Sequence, residues 1–112
     1  MKRGEIWQVN LDPTIGTEIQ KSRPAVIIND DAMGILPLKI IVPITDWKLR
    51  YGAAPWMVKL EPDTTNNLSK TSAADCFQVR SVSQIRLLRK IGDTSAATMT
   101  EIGQSLKAVL RL

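Results

Sequence analysis

The chain has 112 residues, with 15 Lys and Arg against 11 Asp and Glu, no His, one Cys and five aromatic rings. Residues 1–112 are expected to form a single domain with one modest core. The lone Cys76 and the absence of His exclude an intrachain disulfide framework, any Cys-based zinc site and every mechanism that turns on imidazole.

Hydrophobic residues make up 44% of the chain, ordinary for a soluble globular protein. The longest apolar runs, at residues 25–28 and 40–42, fall far short of the roughly 20 residues of a membrane span. Lys2 and Arg3 lead directly into a strand pattern with no apolar leader core behind them, so the expected compartment is the cytoplasm, with no membrane partner. The net charge of +4 divides as +1 over residues 1–56 and +3 over residues 57–112. That balance suits a nucleic-acid partner and equally suits plain solubility.

Residues 4–11 interleave Ile6, Gln8 and Asn10 with Trp7, Val9 and Leu11, which predicts a first strand with Trp7 in the core. Residues 12–24 hold Asp, two Pro, Gly, Thr and Ser without periodicity and predict a loop. Ala25-Val26-Ile27-Ile28 is a buried strand, and residues 38–45 are another. Pro43 inside the latter implies an edge position or a bulge near the strand's end. Residues 46–55 form a second loop, residues 56–60 a fourth strand and residues 63–72 a polar loop. Residues 73–82 supply one or two strands, and residues 84–88 a short turn leading out.

The last segment changes period. Met99, Ile102, Leu106, Val109 and Leu110 form an amphipathic helical stripe, with Ser95, or Thr98 paired with Glu101, as its cap. Gly103 within it costs about 1 kcal/mol against Ala, so packing must hold the helix. Short strands followed by one helix define an α+β, mostly β architecture.

The order of the sequence words is more specific than the periodicity. Arg3-Gly4-Glu5-Ile6-Trp7, Leu11-Asp12-Pro13-Thr14-x-Gly16-x-Glu18 and Arg23-Pro24-Ala25-Val26-Ile27-Ile28 follow one another closely. Val42-Pro43-Ile44-Thr45, Cys76-x-Gln78-x-Arg80-Ser81-Val82 and Arg86-Leu87 come after them. This series, spanning nearly the whole chain, resembles the MazF/PemK toxin family, ribosome-independent mRNA endoribonucleases of bacterial toxin–antitoxin pairs. The resemblance implies a small SH3-like β-barrel (CcdB/PemK-like) with a C-terminal α-helix. It also implies a homodimer whose groove takes single-stranded RNA or a cognate antitoxin, and no cofactor or metal. In the family, the Arg of the R-P word and the Thr ending the V-P-x-T strand are the catalytic pair, which correspond to Arg23 and Thr45. The acidic residue of the D-P-T-x-G-x-E loop corresponds to Glu18.

The chemistry of these residues suits metal-independent cleavage, in which the neighbouring 2′-OH attacks and charge builds on the non-bridging phosphate oxygens. A guanidinium offers those oxygens paired donors and stays charged at any working pH. Thr45 brings a hydroxyl that both donates and accepts, and Glu18 is a general base for the 2′-OH if its pKa is raised. The loops at residues 12–22 and 46–55 are expected to hold the RNA. Asp12, Thr14, Gly16, Thr17 and Lys21 lie on the first. On the second, Trp47 and Tyr51 suit unpaired bases while Lys48 and Arg50 suit the backbone. An equal alternative is that Trp47 or Trp56 covers the barrel end or builds the dimer interface, which leaves open whether Trp47 and Tyr51 contact RNA or the dimer partner. Gln78 and Arg80 fit recognition or phosphate binding.

One position departs from the family. An acidic residue commonly follows the Cys of the C-x-Q-x-R word, and here it is Phe77. Three functions are therefore weighed. An endoribonuclease leaving 2′,3′-cyclic phosphate or 3′-phosphate and 5′-OH ends leads. The alternatives are a non-catalytic toxin of the same fold that poisons a protein target such as DNA gyrase, or a degenerate member that binds RNA or antitoxin without cutting. The chain ends in Val109-Leu110-Arg111-Leu112, without the aromatic C-terminus on which the gyrase poisons depend.

Overall fold

The computed structural model describes residues 1–112. Seven strands and one α-helix follow in the order β1 (Glu5–Asn10), β2 (Ser22–Ile27), β3 (Leu38–Asp46), β4 (Met57–Leu60), β5 (Ser72–Asp75), β6 (Arg80–Ser83), β7 (Leu87–Asp93) and α1 (Ala96–Leu110). All strand pairs are antiparallel. The sheet runs β4-β5-β3-β2-β1-β7, with β6 joined to β3. Its path is open, with β4 and β7 at the ends, so the expected barrel is realised as a barrel-like sheet with the helix at the C-terminus. No helix is long and apolar enough to cross a membrane.

Because side chains alternate along a strand, the sheet buries both faces. Ile6, Val26, Val42, Ile44, Val58, Leu60 and Ala74 form one core, into which Ile102 of α1 inserts. Val9, Leu11, Ala25, Ile27, Ile41, Val82 and Leu87 form the other. Each fully buried Ile, Leu or Val stabilises the fold by about 1.5–3 kcal/mol. Trp7, expected in the core, is half-buried against the second cluster, because its indole Nε1 donates to Glu5 Oε1 at 2.9 Å and holds the ring at the rim.

Several expected elements are corrected. The first loop is shorter, since β2 begins at Ser22. Pro43 lies in a central strand rather than at an edge. The Ile40 carbonyl accepts from the Ile28 N–H at 2.9 Å, so even-numbered backbone groups of β3 face β2 and odd-numbered ones face the opposite edge. On that edge the pairing with β6 runs only as far as Ile41, opposite Arg80, and the pairing with β5 starts at Ile44, opposite Ala74. The missing N–H of Pro43 thus falls in the gap where the strand changes neighbours.

Strand β7 carries no clean alternation and was not predicted from its sequence. Two register shifts against β1, at Ile6/Trp7 and Gln8/Val9, break its period of two. Helix α1 starts at the expected cap, Ser95 Oγ accepting from the Thr98 N–H at 3.1 Å. Its apolar stripe ends earlier than expected: Leu110 is exposed, because the helix stops at Arg111 in a left-handed conformation.

Candidate active site

The sheet order places the two principal candidates on neighbouring strands. Arg23 pairs with Val9 across β1 and β2, and Ala25 pairs with Pro43 across β2 and β3. That ladder stops at Ala25 and Pro43; Thr45, two residues further along β3, pairs with Ala73 of β5. Arg23 is half-buried, and its Nε is buried with no hydrogen-bond partner. An unmet buried donor costs about 1–3 kcal/mol. Thr14 Oγ1 is the other buried side-chain atom left without a partner.

The loop between β1 and β2 is closed by its own polar groups. Asp12 Oδ1 accepts from the Lys21 N–H at 2.8 Å, and the Leu11 N–H donates to the Lys21 carbonyl at 3.0 Å. Lys21 takes a left-handed φ of 67° to make this closure. Arg86 Nη1 donates to the carbonyls of Asn10 (3.1 Å) and Asp12, and Arg80 Nη1 to that of Leu11 at 3.4 Å. Glu18 Oε1 accepts from the Ile15 N–H at 3.0 Å, and Gln78 Oε1 from the Ile19 N–H at 2.7 Å. The Asp12 carboxylate and the Gln78 amide are therefore engaged in holding the loop, whereas Gly16, Thr17 and Glu18 face solvent.

Against this loop lies an open cleft of about 390 Å³ lined by Thr17, Glu18, Trp56, Asp75, Phe77 and Gln78. Phe77 is exposed and meets Trp56 edge-on, with centroids 6.2 Å apart. Asp75 is buried, and that burial pushes its carboxyl above the usual range, against hydrogen bonds from the Gln78 side chain and from the Phe77 and Gln78 N–H groups. The neighbouring Cys76 thiol is also pushed up by burial, which opposes thiolate chemistry.

Beyond Thr45 the second loop builds a ladder of rings and cations. Trp47 and Tyr51 meet edge-on at 5.9 Å; Arg50 lies 5.3 Å from the Tyr51 centroid and Lys59 lies 5.1 Å from that of Trp47. Lys48 is exposed beside it.

The structure thus brings together Glu18 with Gln78 and Trp47 with Tyr51 and Arg50, and carries Arg23 and Thr45 on the adjacent strands β2 and β3. It adds Asp75 and Lys59, which the sequence reasoning did not single out, and places Trp56 in the lining of the cleft. Asp75 had one local signal: an Asp ending a strand two residues before Phe77, suited to cap the short 3₁₀ turn Cys76–Gln78.

Comparison with known proteins matches residues 2–110 to the model of the "PemK-like, MazF-like toxin of type II toxin-antitoxin system". Endoribonuclease MazF9 of Mycobacterium tuberculosis is 37% identical over 118 residues, covering 100% of this chain and 98% of the relative. Endoribonuclease PemK of Escherichia coli is 35% identical over 83 residues, covering 73% of this chain and 60% of the relative. MazF of Deinococcus radiodurans has the same fold, with a TM-score of 0.83 at 22% identity, covering 100% of this chain and 97% of that one. A mycobacterial endoribonuclease in complex with its cognate antitoxin superposes with a TM-score of 0.78 at 18% identity, covering 100% and 96%. Sequence words, fold and relatives agree, and the chain belongs to the PemK-like, MazF-like toxins of type II toxin–antitoxin systems.

Proposed function

We propose that this chain, an endoribonuclease by family, cuts single-stranded mRNA at a short sequence without a metal ion or cofactor. The observation that carries the proposal is Arg23: a cation on β2, the strand next to the one that carries Thr45, with a buried Nε that has no partner within the protein. In the proposed reaction the substrate's 2′-oxygen attacks phosphorus as the P–O5′ bond breaks. The 2′-OH proton passes to a base, and the departing 5′-oxygen takes up a proton. Arg23 binds the non-bridging oxygens as charge builds on them, Thr45 orients the phosphate, and Glu18 is the base. The products are a 2′,3′-cyclic phosphate, or a 3′-phosphate after opening, and a 5′-OH. Trp47 and Tyr51 stack bases while Arg50, Lys48 and Lys59 follow phosphates.

A cognate antitoxin is the proposed protein partner, as in the mycobacterial complex. A second copy of the chain is the proposed partner for the exposed apolar patch of Met33, Ile35, Leu36, Leu38 and Ile40. Such a patch on a small soluble protein marks an interaction surface. Light scattering of wild type and Ile35→Lys tests it: the wild type is expected as a dimer, and the variant as a monomer.

The test of the chemistry is incubation with a long single-stranded RNA in EDTA, followed by mapping of the cut ends. Discrete cuts with 5′-OH ends are expected, reduced about 10²–10³-fold in Arg23→Ala, as for loss of one oxyanion donor, and strongly reduced in Thr45→Ala. Full activity of folded Arg23→Ala overturns the mechanism. Absence of cutting by folded wild type on varied RNAs shifts the function to a binding toxin.

A further inference from the structure

The cleft beside Glu18 contains a hydrogen-bond relay that neither loop nor strand explains alone. Asp75 ends β5 and accepts on both carboxylate oxygens: Oδ1 takes the Phe77 N–H at 3.1 Å, and Oδ2 takes Gln78 Nε2 at 3.0 Å. Gln78 then presents Oε1 to the Ile19 N–H at 2.7 Å, 59 residues away in sequence. Ile19 immediately follows Glu18. One buried carboxylate therefore fixes the capped turn that carries Phe77 and, through one amide, the loop that carries Glu18.

We propose that Asp75 is a positioning residue for RNA cleavage, acting through Gln78 to hold the Glu18 loop in place. This inference rests on the cleavage site proposed above. The polarity of the relay makes it specific. A carboxylate has acceptors on both oxygens, so it meets both N–H donors and orients the Gln78 amide with its oxygen toward Ile19. Asn at position 75 keeps one acceptor and turns a donor toward either Phe77 or Gln78. Glu at position 78 meets Asp75 acceptor to acceptor. Exchanging both restores the side-chain relay: the Phe77 N–H donates to the Asn oxygen, the Asn amide donates to Glu, and the second Glu oxygen accepts from Ile19. All three variants keep side-chain shape, and the exchange keeps net charge.

The experiment compares Asp75→Asn, Gln78→Glu and the double variant by two readouts: hydrogen exchange of the Ile19 amide and kcat against KM for RNA cleavage. Each single variant is expected to lose about tenfold in Ile19 protection. Each is also expected to lose about tenfold or more in kcat, because small displacements of a reacting group are costly, with KM changed less. The double variant is expected to recover both to within about threefold of wild type. A double variant no better than the worse single variant overturns the relay. Recovery of Ile19 protection without recovery of kcat overturns the positioning role. If wild type cuts no RNA, the cleavage reading fails separately, and the Ile19 exchange pattern still decides whether the relay holds the loop.

Discussion

An Ala at Gly92 places its methyl carbon 2.5 Å from the Asn66 carbonyl oxygen and 2.6 Å from the Thr65 carbonyl oxygen. Both obstacles are backbone, so no rotamer change relieves them. Strand β7 and the turn at residues 63–67 are also tied directly: the Asp93 N–H donates to the Thr65 carbonyl at 3.0 Å, and Asn67 Nδ2 to the Ile91 carbonyl at 3.0 Å. Separating them by the required fraction of an ångström costs about 1–3 kcal/mol in overpacking and weakens two hydrogen bonds of about 1 kcal/mol each. Loss of unfolded-chain entropy offsets about 0.4–1 kcal/mol. The expected net destabilisation is about 2–4 kcal/mol, or roughly 10 °C or more in Tm.

Gly103→Ala supplies the opposite sign. Apart from the helix's own neighbouring backbone and the adjoining residues, no atom lies within 4 Å of its added carbon, and the helix gains up to about 1 kcal/mol. Urea unfolding followed by tryptophan fluorescence reads both variants; Trp7 reports directly, because it pairs with Lys90 of β7. Gly92→Ala within 0.5 kcal/mol of wild type, a margin typical of neutral surface changes, would refute the close approach of β7 to this turn. The consequence reaches the site, since Arg86, which holds the base of the Glu18 loop, directly precedes β7.

Glu5 offers a pH-dependent counterpart. Burial opposes its ionisation, but hydrogen bonds from the Trp7 indole and the Lys2 N–H, with the N-terminal and Lys90 charges, hold its pKa at about 2 against an ordinary 4.5. Its contribution is complete above the unfolded value and is lost as pH falls from 4.5 toward 2. With exposed cationic partners this amounts to about 1–2 kcal/mol; urea midpoints in that window should fall for wild type, and Glu5→Gln should remove this component of the slope. Asn66→Ala leaves the Asp63 and Leu68 N–H groups and the Glu61 carbonyl without their side-chain partner, and thermal unfolding should show a loss of about 2–3 kcal/mol. Trp47→Ala should raise KM for RNA about tenfold or more while leaving kcat within a few fold, and Trp47→Phe should recover much of it, as expected for a stacking platform. Unchanged KM would remove Trp47 from the RNA path.

Much of this protein is legible before folding is considered. The alternation of residues 4–11, the β-branched runs of β2 and β3, the capped stripe of α1 and the ordered motif words identify the strands, the helix and the family, because each is local or is a fixed order along the chain. Arg23, Thr45 and Glu18 were likewise named by motif. Strand β7 was not legible, because its two bulges erase the period that marks a strand. The place of Pro43 depends on where β5 stops and β6 starts, which is a property of the sheet and not of the peptide. Asp75 became part of the site only when β5 and the Ile19 loop came within hydrogen-bond reach of one glutamine. Local preference and residue order are written along the chain. The pairing of donors with acceptors tens of residues apart is decided by the tertiary structure, because only there do buried polar groups have to find partners.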